Sequence, residues 1–248
     1  MKDFKVENCA NSVDSCVEAQ KGGAYRVELC AGIPEGGTTP SYGEIAMARE
    51  LLQIKLHVII RPRGGDFLYS PVEKQIMLKD IETARKLGVD GVVVGCLTPE
   101  GEIDMPFLRE MVDAAGDCSV TFHRAFDMCR EPYRAMEQII EAGCDRILTS
   151  GQQPTAEMGI PLLKRLLKMA DGRIIIMPGC GVNEKNIRKI AEETEAAEFH
   201  FSARETKPSG MVYRNPVVSM GGTVHIDEYE LSLTSAARVK NTIESLKG

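Results

Sequence analysis

Residues 120–127, VTFHRAFD, run as a strand for a few positions and then bring His123, Arg124 and Asp127 close together. A base, a cation and an acid at a strand end are the parts of a proton-transfer or anion-binding site. VIIRPRGGD at 58–66 breaks in the same way, from apolar residues to Arg61, Arg63 and Asp66. Other strand-length apolar runs also end in polar residues or glycines. They close on Glu7-Asn8-Cys9, Glu28-Leu29-Cys30, Thr149-Ser150-Gly151, Pro178-Gly179-Cys180-Gly181 and His200-Phe201-Ser202.

Three kinds of ligand match these residue types. An anion, carboxylate or phosphate, would suit the guanidinium forks of Arg61, Arg63 and Arg124, with Asp127 holding Arg124 or an arginine of RPRGGD in place. Gly179 and Gly181 before a helix starting near Asn183 could cradle a phosphate on free backbone N–H groups, or could simply make a tight turn. A soft metal would suit Cys9 and Cys30, which end the matching tetrapeptides VENC and VELC; thiolates favour Cu(I), although two packed thiols would read the same way. A harder metal could use Glu7, Glu28, His123 and His200, a set with suitable atoms but no diagnostic spacing. The same imidazoles and carboxylates offer acid–base catalysis, and Ser150 and Ser202 add hydroxyls. No lysine ends a strand, and no G-x-S-x-G, H-E-x-x-H or Walker loop is present.

These residues need a scaffold that gathers strand ends. Strand-like runs fall at 4–9, 25–30, 56–61, 91–96, 119–123, 145–149, 173–178 and 197–202. Helix-spaced apolar residues fill 13–22, 42–53, 71–87, 105–116, 132–143, 159–170, 183–194 and 231–247. An unbroken series of eight strand–helix units over 248 residues predicts a single α/β domain, a TIM (β/α)8 barrel, in preference to a doubly wound sheet. The irregular stretch 203–222 is expected to be a loop, and Arg204, Met211, Tyr213 and Arg214 in it are candidates for a lid over the barrel mouth.

Strand alternation then sorts the residues, because every second one faces the barrel interior. With Val6, Val27, Leu29, Val58, Ile60, Phe199 and Phe201 turned toward the helices, Glu7, Cys9, Glu28, Cys30, Ile59, Arg61, Glu198, His200 and Ser202 turn inward. In the fifth strand the same reasoning points His123 in. Charges cannot be buried there unpaired. Either Glu7 and Glu28 are neutralised by Arg61 or Arg124 in a purely structural network, or the set forms a ligand site.

Composition narrows the partners. A net charge of −6 offers no general attraction to nucleic acid or anionic membrane, and no apolar run is long enough to span a bilayer. The N-terminus lacks a signal-peptide core, which makes the cytoplasm the expected compartment. The eight cysteines are scattered without a C-x-x-C, so a disulfide framework is not expected.

RPRGGDFLYS (61–70), VTFHRAFD (120–127), LTSG (148–151), MPGCGV (177–182) and EFHFSA (198–203) together resemble the CutC family. VELCAG and EGGTTPSYG within 27–43, and SGMVYRN at 209–215, extend the match over most of the chain. The resemblance implies a cytoplasmic TIM-barrel protein of copper homeostasis that forms a homo-oligomer, a dimer or tetramer. It further implies copper bound through cysteines at the ends of the first two strands, which fall on Cys9 and Cys30. Cys180 departs from the pattern, standing where the family commonly has glycine. No enzymatic reaction comes with the family name. The residues themselves keep a second expectation open, an enzyme acting on a small phosphorylated or carboxylated metabolite.

Overall fold

A computed structural model of the chain describes residues 4–220 and 226–247. Its inner layer opens with β1 (Lys5–Ala10), β2 (Arg26–Leu29), β3 (Lys55–Ile59) and β4 (Gly91–Val94). It closes with β5 (Ser119–Phe122), β6 (Arg146–Thr149), β7 (Ile175–Pro178) and β8 (Glu198–Phe201). Between them run α1 (Val13–Lys21), α2 (Tyr42–Leu51), α3 (Pro71–Lys86), α4 (Met105–Ala115), α5 (Pro132–Glu141), α6 (Ile160–Ala170) and α7 (Ile187–Thr194). The strands are parallel in the order β7-β6-β5-β4-β3-β2-β1-β8, and β7 lies beside β8, so the sheet is a nearly closed TIM barrel.

Local chemistry explains the helix starts. Ser12, Ser41 and Ser70 accept a backbone N–H as N-caps, and at Ser41 and Ser70 a glutamate three residues on completes a capping box. Proline occupies the first turn of α3, α4, α5 and α6, where its missing N–H costs nothing. Most of the hydrophobic core lies between strands and helices: Val27, Leu29, Val58, Ile60, Val92, Val94, Phe122, Ile147, Ile176 and Phe199 share one buried cluster with the helix faces. The barrel interior holds a small apolar cluster of Cys30, Ile59 and Val93, with Cys9 and Ile33 against it.

Four elements differ from the sequence reading. The stretch expected to loop at 203–222 begins with β9 (Arg204–Pro208), which pairs antiparallel with β10 (Glu230–Thr234). Both strands are largely exposed, so no apolar face announced them. Residues 221 and 222 lie outside the described residues. The last helix, α8 (Ala236–Lys247), starts later than 231 because Glu230–Thr234 is taken by that hairpin. α7 likewise starts at Ile187 rather than 183, since Asn183 and Asn186 both turn back to donate to the Gly181 carbonyl (2.9 Å each).

The spacing of glycines on and after β4 makes room for imidazoles on both sides. A Cβ at Gly91 would lie 2.5 Å from Nε2 of His57, and one at Gly95 would lie 2.3 Å from Cε1 of His123. Each ring therefore sits flat over a glycine backbone. Gly95→Ala is expected to destabilise the protein by about 1–3 kcal/mol by overpacking, measured by urea unfolding. A cost under about 0.5 kcal/mol, the range of an ordinary surface change, would show that the His123 ring is not held there.

Candidate functional site

At the floor of the barrel, four oppositely charged residues form a buried chain. Arg26 Nε donates to Glu7 in a very short contact, and its Nη2 donates to Glu198 at 2.8 Å. Arg146 Nε donates to the same Glu198 oxygen at 2.8 Å, and its Nη1 to Thr121 at 3.1 Å. Pairing register produces part of this arrangement: Glu7 stands opposite Arg26 on β2 and opposite His200 on β8. Burial alone would raise the Glu7 pKa, but the charge of Arg26 and the hydrogen bond and charge of His200 hold it well below the ordinary carboxylate value.

His200 connects this floor to the cavity above. Its Nδ1 lies 2.8 Å from Glu7 and its Nε2 lies 3.5 Å from Glu28. Burial opposes its charge, yet the side chains of Cys9, Glu7 and Glu28 raise its pKa well above the usual value, so the ring is an imidazolium at neutral pH. His57 is the opposite case. Burial pushes its pKa down to about 4, so its 3.6 Å approach to Glu7 is not an ion pair at neutral pH.

Above them opens a cavity of about 610 Å³ at the C-terminal ends of the strands, the active face of TIM barrels. Cys9, Cys30, Glu28, Arg61, His123, Arg124, Asp127, Gly181, His200 and Ser202 line it. The two thiols face one another with Sγ atoms 3.9 Å apart, and Arg204 Nη2 donates to Cys9 at 3.4 Å. The Cys9 pKa falls well below the usual thiol value, chiefly because Cys30 donates its S–H, with His200 and Arg204 adding to the effect against burial. Cys30 correspondingly keeps its proton, its pKa raised well above the usual value by the same bond to Cys9 and by burial. Glu28 is pushed up to about 8, first by burial and then by Cys9 and Glu7, against the lowering charge of His200. Cys9, Glu28 and Cys30 bring ligand atoms within 4.8 Å of one another, as do Glu7, Glu28 and His200.

The structure separates the arginines that the sequence grouped. Arg61 gives its Nη1 and Nη2 groups to the scaffold, donating to the carbonyls of Glu35 (2.8 Å), Gly37 (2.9 Å) and Gly65 (2.7 Å). Arg63 lies outside the cavity lining with Asp66, bonded to Glu73 and Asp66. Arg124 is held by Asp127 at 2.8 Å, and Asp127 also accepts from Thr149 and from the N–H groups of Ser150 and Gln152. Ser150 is buried in that anchor rather than in the lining, and Gly179 packs tightly against Leu148 and His200. Cys180 adopts φ +78°, the region that favours glycine, and its thiol donates to Pro154.

Of the lid candidates, only Arg204 reaches the cavity; Met211 and Tyr213 are exposed and Arg214 stacks on Tyr229. Arg26, His57 and Arg146 escaped the sequence reading. Extending the alternation two residues back from Glu28 and Ile59 would have found the first two. Arg238, which donates to the Arg204 carbonyl and to Glu184, comes from α8 and left no sequence signal.

A family model for CutC matches residues 4–205. The chain belongs to the CutC family. A CutC relative from Bacteroides thetaiotaomicron is 68% identical over all 248 residues and is covered completely. A human relative named copper homeostasis protein cutC homolog is 46% identical over 237 residues, 96% of this chain and 87% of the human one. Among solved structures, CutC from Streptococcus agalactiae is similar with a TM-score of 0.77 at 35% identity, covering 80% of this chain and 98% of that one. The thiamine phosphate pyrophosphorylase from Pyrococcus furiosus, at 16% identity and TM-score 0.63 over 99% of this chain and 96% of that one, shares the fold. In this CutC-family chain, β10 and α8 lie beyond the segment matched by the family model.

Glu28 gives the site a measurable pH signature. Its folded pKa of about 8 exceeds the ~4.3 of an unfolded glutamate. The native state therefore keeps a proton that the unfolded chain releases. That contribution is complete below about pH 4 and is lost as the pH rises through 8. Glu28→Gln, which cannot ionise, is expected to gain stability relative to wild type between pH 5 and 9 in urea titrations. Parallel stability curves for the two proteins would show that Glu28 ionises normally.

Proposed function

We propose that this chain is a cytoplasmic, homo-oligomeric copper-handling protein that binds Cu(I) between Cys9 and Cys30 at the barrel mouth. The family and the name of the human relative support copper homeostasis in general. The observation that carries the specific site is the facing pair of free thiols, 3.9 Å apart.

The donor set fits the ion. Thiolates are soft ligands that select Cu(I). Two sulfurs about 2.3 Å from one ion, the zinc–thiolate distance used as a guide, can stand at most about 4.6 Å apart, and these are nearer than that. Charge also fits. With Cys9 ionised and Cys30 protonated, the pair carries one negative charge, and Cu(I) taking the place of the shared proton leaves that charge unchanged. The guanidinium of Arg204 and the imidazolium of His200 already balance it. Glu28 stands within reach as a third, weaker donor.

A second reading, an enzyme acting on a small anionic metabolite, is supported by Glu28 facing His200. A protonated carboxyl beside a charged imidazole, their pKa values moved from the ordinary ones by their surroundings, is the kind of pair that runs acid–base chemistry. Both readings use the same mouth, so the cysteines discriminate between them.

Titration of the reduced protein with Cu(I) against a competing chelator should show one ion per chain. It should also show release of about one proton per ion at pH 7, because only one thiol still carries its proton. Changing both Cys9 and Cys30 to Ser should weaken binding by more than ~100-fold, beyond what loss of a supporting contact costs. Unchanged affinity in that double variant would remove this site from the copper reading.

A further inference from the structure

The cavity lining has a feature that the thiols do not use. His123 is buried, 4% exposed, and lines the cavity. Its Nδ1 accepts a hydrogen bond from the Ala125 N–H at 3.1 Å. A neutral ring that accepts at Nδ1 carries its proton on Nε2. That Nε2–H has no hydrogen-bond partner among the described residues. The ring is neutral at physiological pH, since burial and then the charge of Arg61 push its pKa down to about 3.

Two more residues of the same cavity lining carry a buried donor with no hydrogen-bond partner among the described residues, Nε–H of Arg61 and Nε–H of Arg204. Arg61 and His123 share one wall, both against the Phe67 ring, at 5.0 Å and 5.1 Å from its centroid. A buried donor left unpaired costs about 1–3 kcal/mol, so several of them around one cavity point to an acceptor that arrives with a ligand.

We propose that the barrel mouth binds a small carboxylate with an apolar body, its carboxylate accepting from His123 Nε2–H and Arg61 on the Phe67 wall. This rests on the second reading above, that the mouth takes a small anion, and it names the class. Ile33, Ile59, Phe67, Met128, Leu148 and Val182 supply the apolar surface. A phosphate is the poorer fit. In the turn after β7, where a phosphate cradle would stand, the Gly179 N–H donates to the Thr149 carbonyl at 3.0 Å, and side chains take two donors of the approach to α7: Asn186 accepts from the Asn183 N–H and Asn183 from the Lys185 N–H, both at 2.9 Å. One neutral imidazole and one guanidinium suit the single charge of a carboxylate.

The test uses benzoate, phenyl phosphate and benzamide, three probes with one apolar body, on the full chain. Affinity is read by calorimetry, and the site by NMR of protein labelled with nitrogen-15 histidine. Benzoate should bind, shift the His123 Nε2–H resonance and leave the Nε2–H tautomer in place. His123→Phe, which keeps a ring over Gly95, should weaken benzoate about tenfold or more, the loss expected of a hydrogen bond to a charged group. Benzamide binding as tightly as benzoate, or benzoate binding with no change at His123, would overturn the proposal. Preference for phenyl phosphate would overturn the carboxylate assignment and leave the anion reading standing. Failure of both anions to bind would overturn the two together.

Discussion

A carboxylate with no solvent exposure, Glu7, sits between a guanidinium and an imidazole, and the chemistry of the barrel depends on how it is held. An isolated charge at that depth would be neutralised rather than tolerated. Glu7 stays ionised because Arg26 is bonded to it, and Arg26 stays in place because Glu198 holds its other side and is itself held by Arg146. Breaking one member of such a buried chain is far costlier than the chain is stabilising, since the remaining charges lose their partners. The chain therefore specifies geometry more than it adds stability, and what it specifies is an anion fixed under His200.

From that anion the protonation states of the mouth follow in order. Glu7 keeps His200 charged; His200, with Arg204, favours the thiolate at Cys9; and that thiolate accepts a hydrogen bond from Cys30, which keeps its proton. Glu28, flanked by negative neighbours and cut off from water, keeps its proton instead. In the barrel interior and at its thiols, Glu7, Glu198 and Cys9 are balanced by Arg26, Arg146 and His200, and Arg204 adds one further cation at the rim. A cavity whose charges are already matched, with a positive margin, accepts either an anionic ligand or a cation that enters by displacing a proton. Copper at the thiols and a carboxylate at His123 and Arg61, the two occupants proposed above, would each meet one of these conditions within the same mouth.

The barrel was legible because eight strand–helix units repeat without interruption, and strand alternation was enough to place Glu7, Cys9, Glu28, Cys30 and His200 on the inner face, where they lie. The partners of those residues were harder to read. Arg61 looked like a ligand fork, but only the fold shows that its guanidinium meets three backbone carbonyls from two loops. Arg63, two residues later, points to Glu73 on α3, a contact fixed by a helix distant from the barrel axis. The true partners of Glu7 and Glu198 were Arg26 and Arg146, early in their strands, where attention to strand ends could not reach them. Arg204 reaches Cys9 from a hairpin whose exposed polar strands carry no hydrophobic period.

The role of the barrel mouth depends first on whether Cu(I) replaces the proton between the two sulfurs. Copper K-edge X-ray absorption of the Cu(I)-loaded, reduced protein tests this without a variant. Two sulfur neighbours per copper are expected, and they should be lost when Cys9 and Cys30 are both changed to Ser. A spectrum with nitrogen and oxygen neighbours alone would contradict binding at the thiols and move the copper to Glu7, Glu28 and His200 or off the barrel mouth.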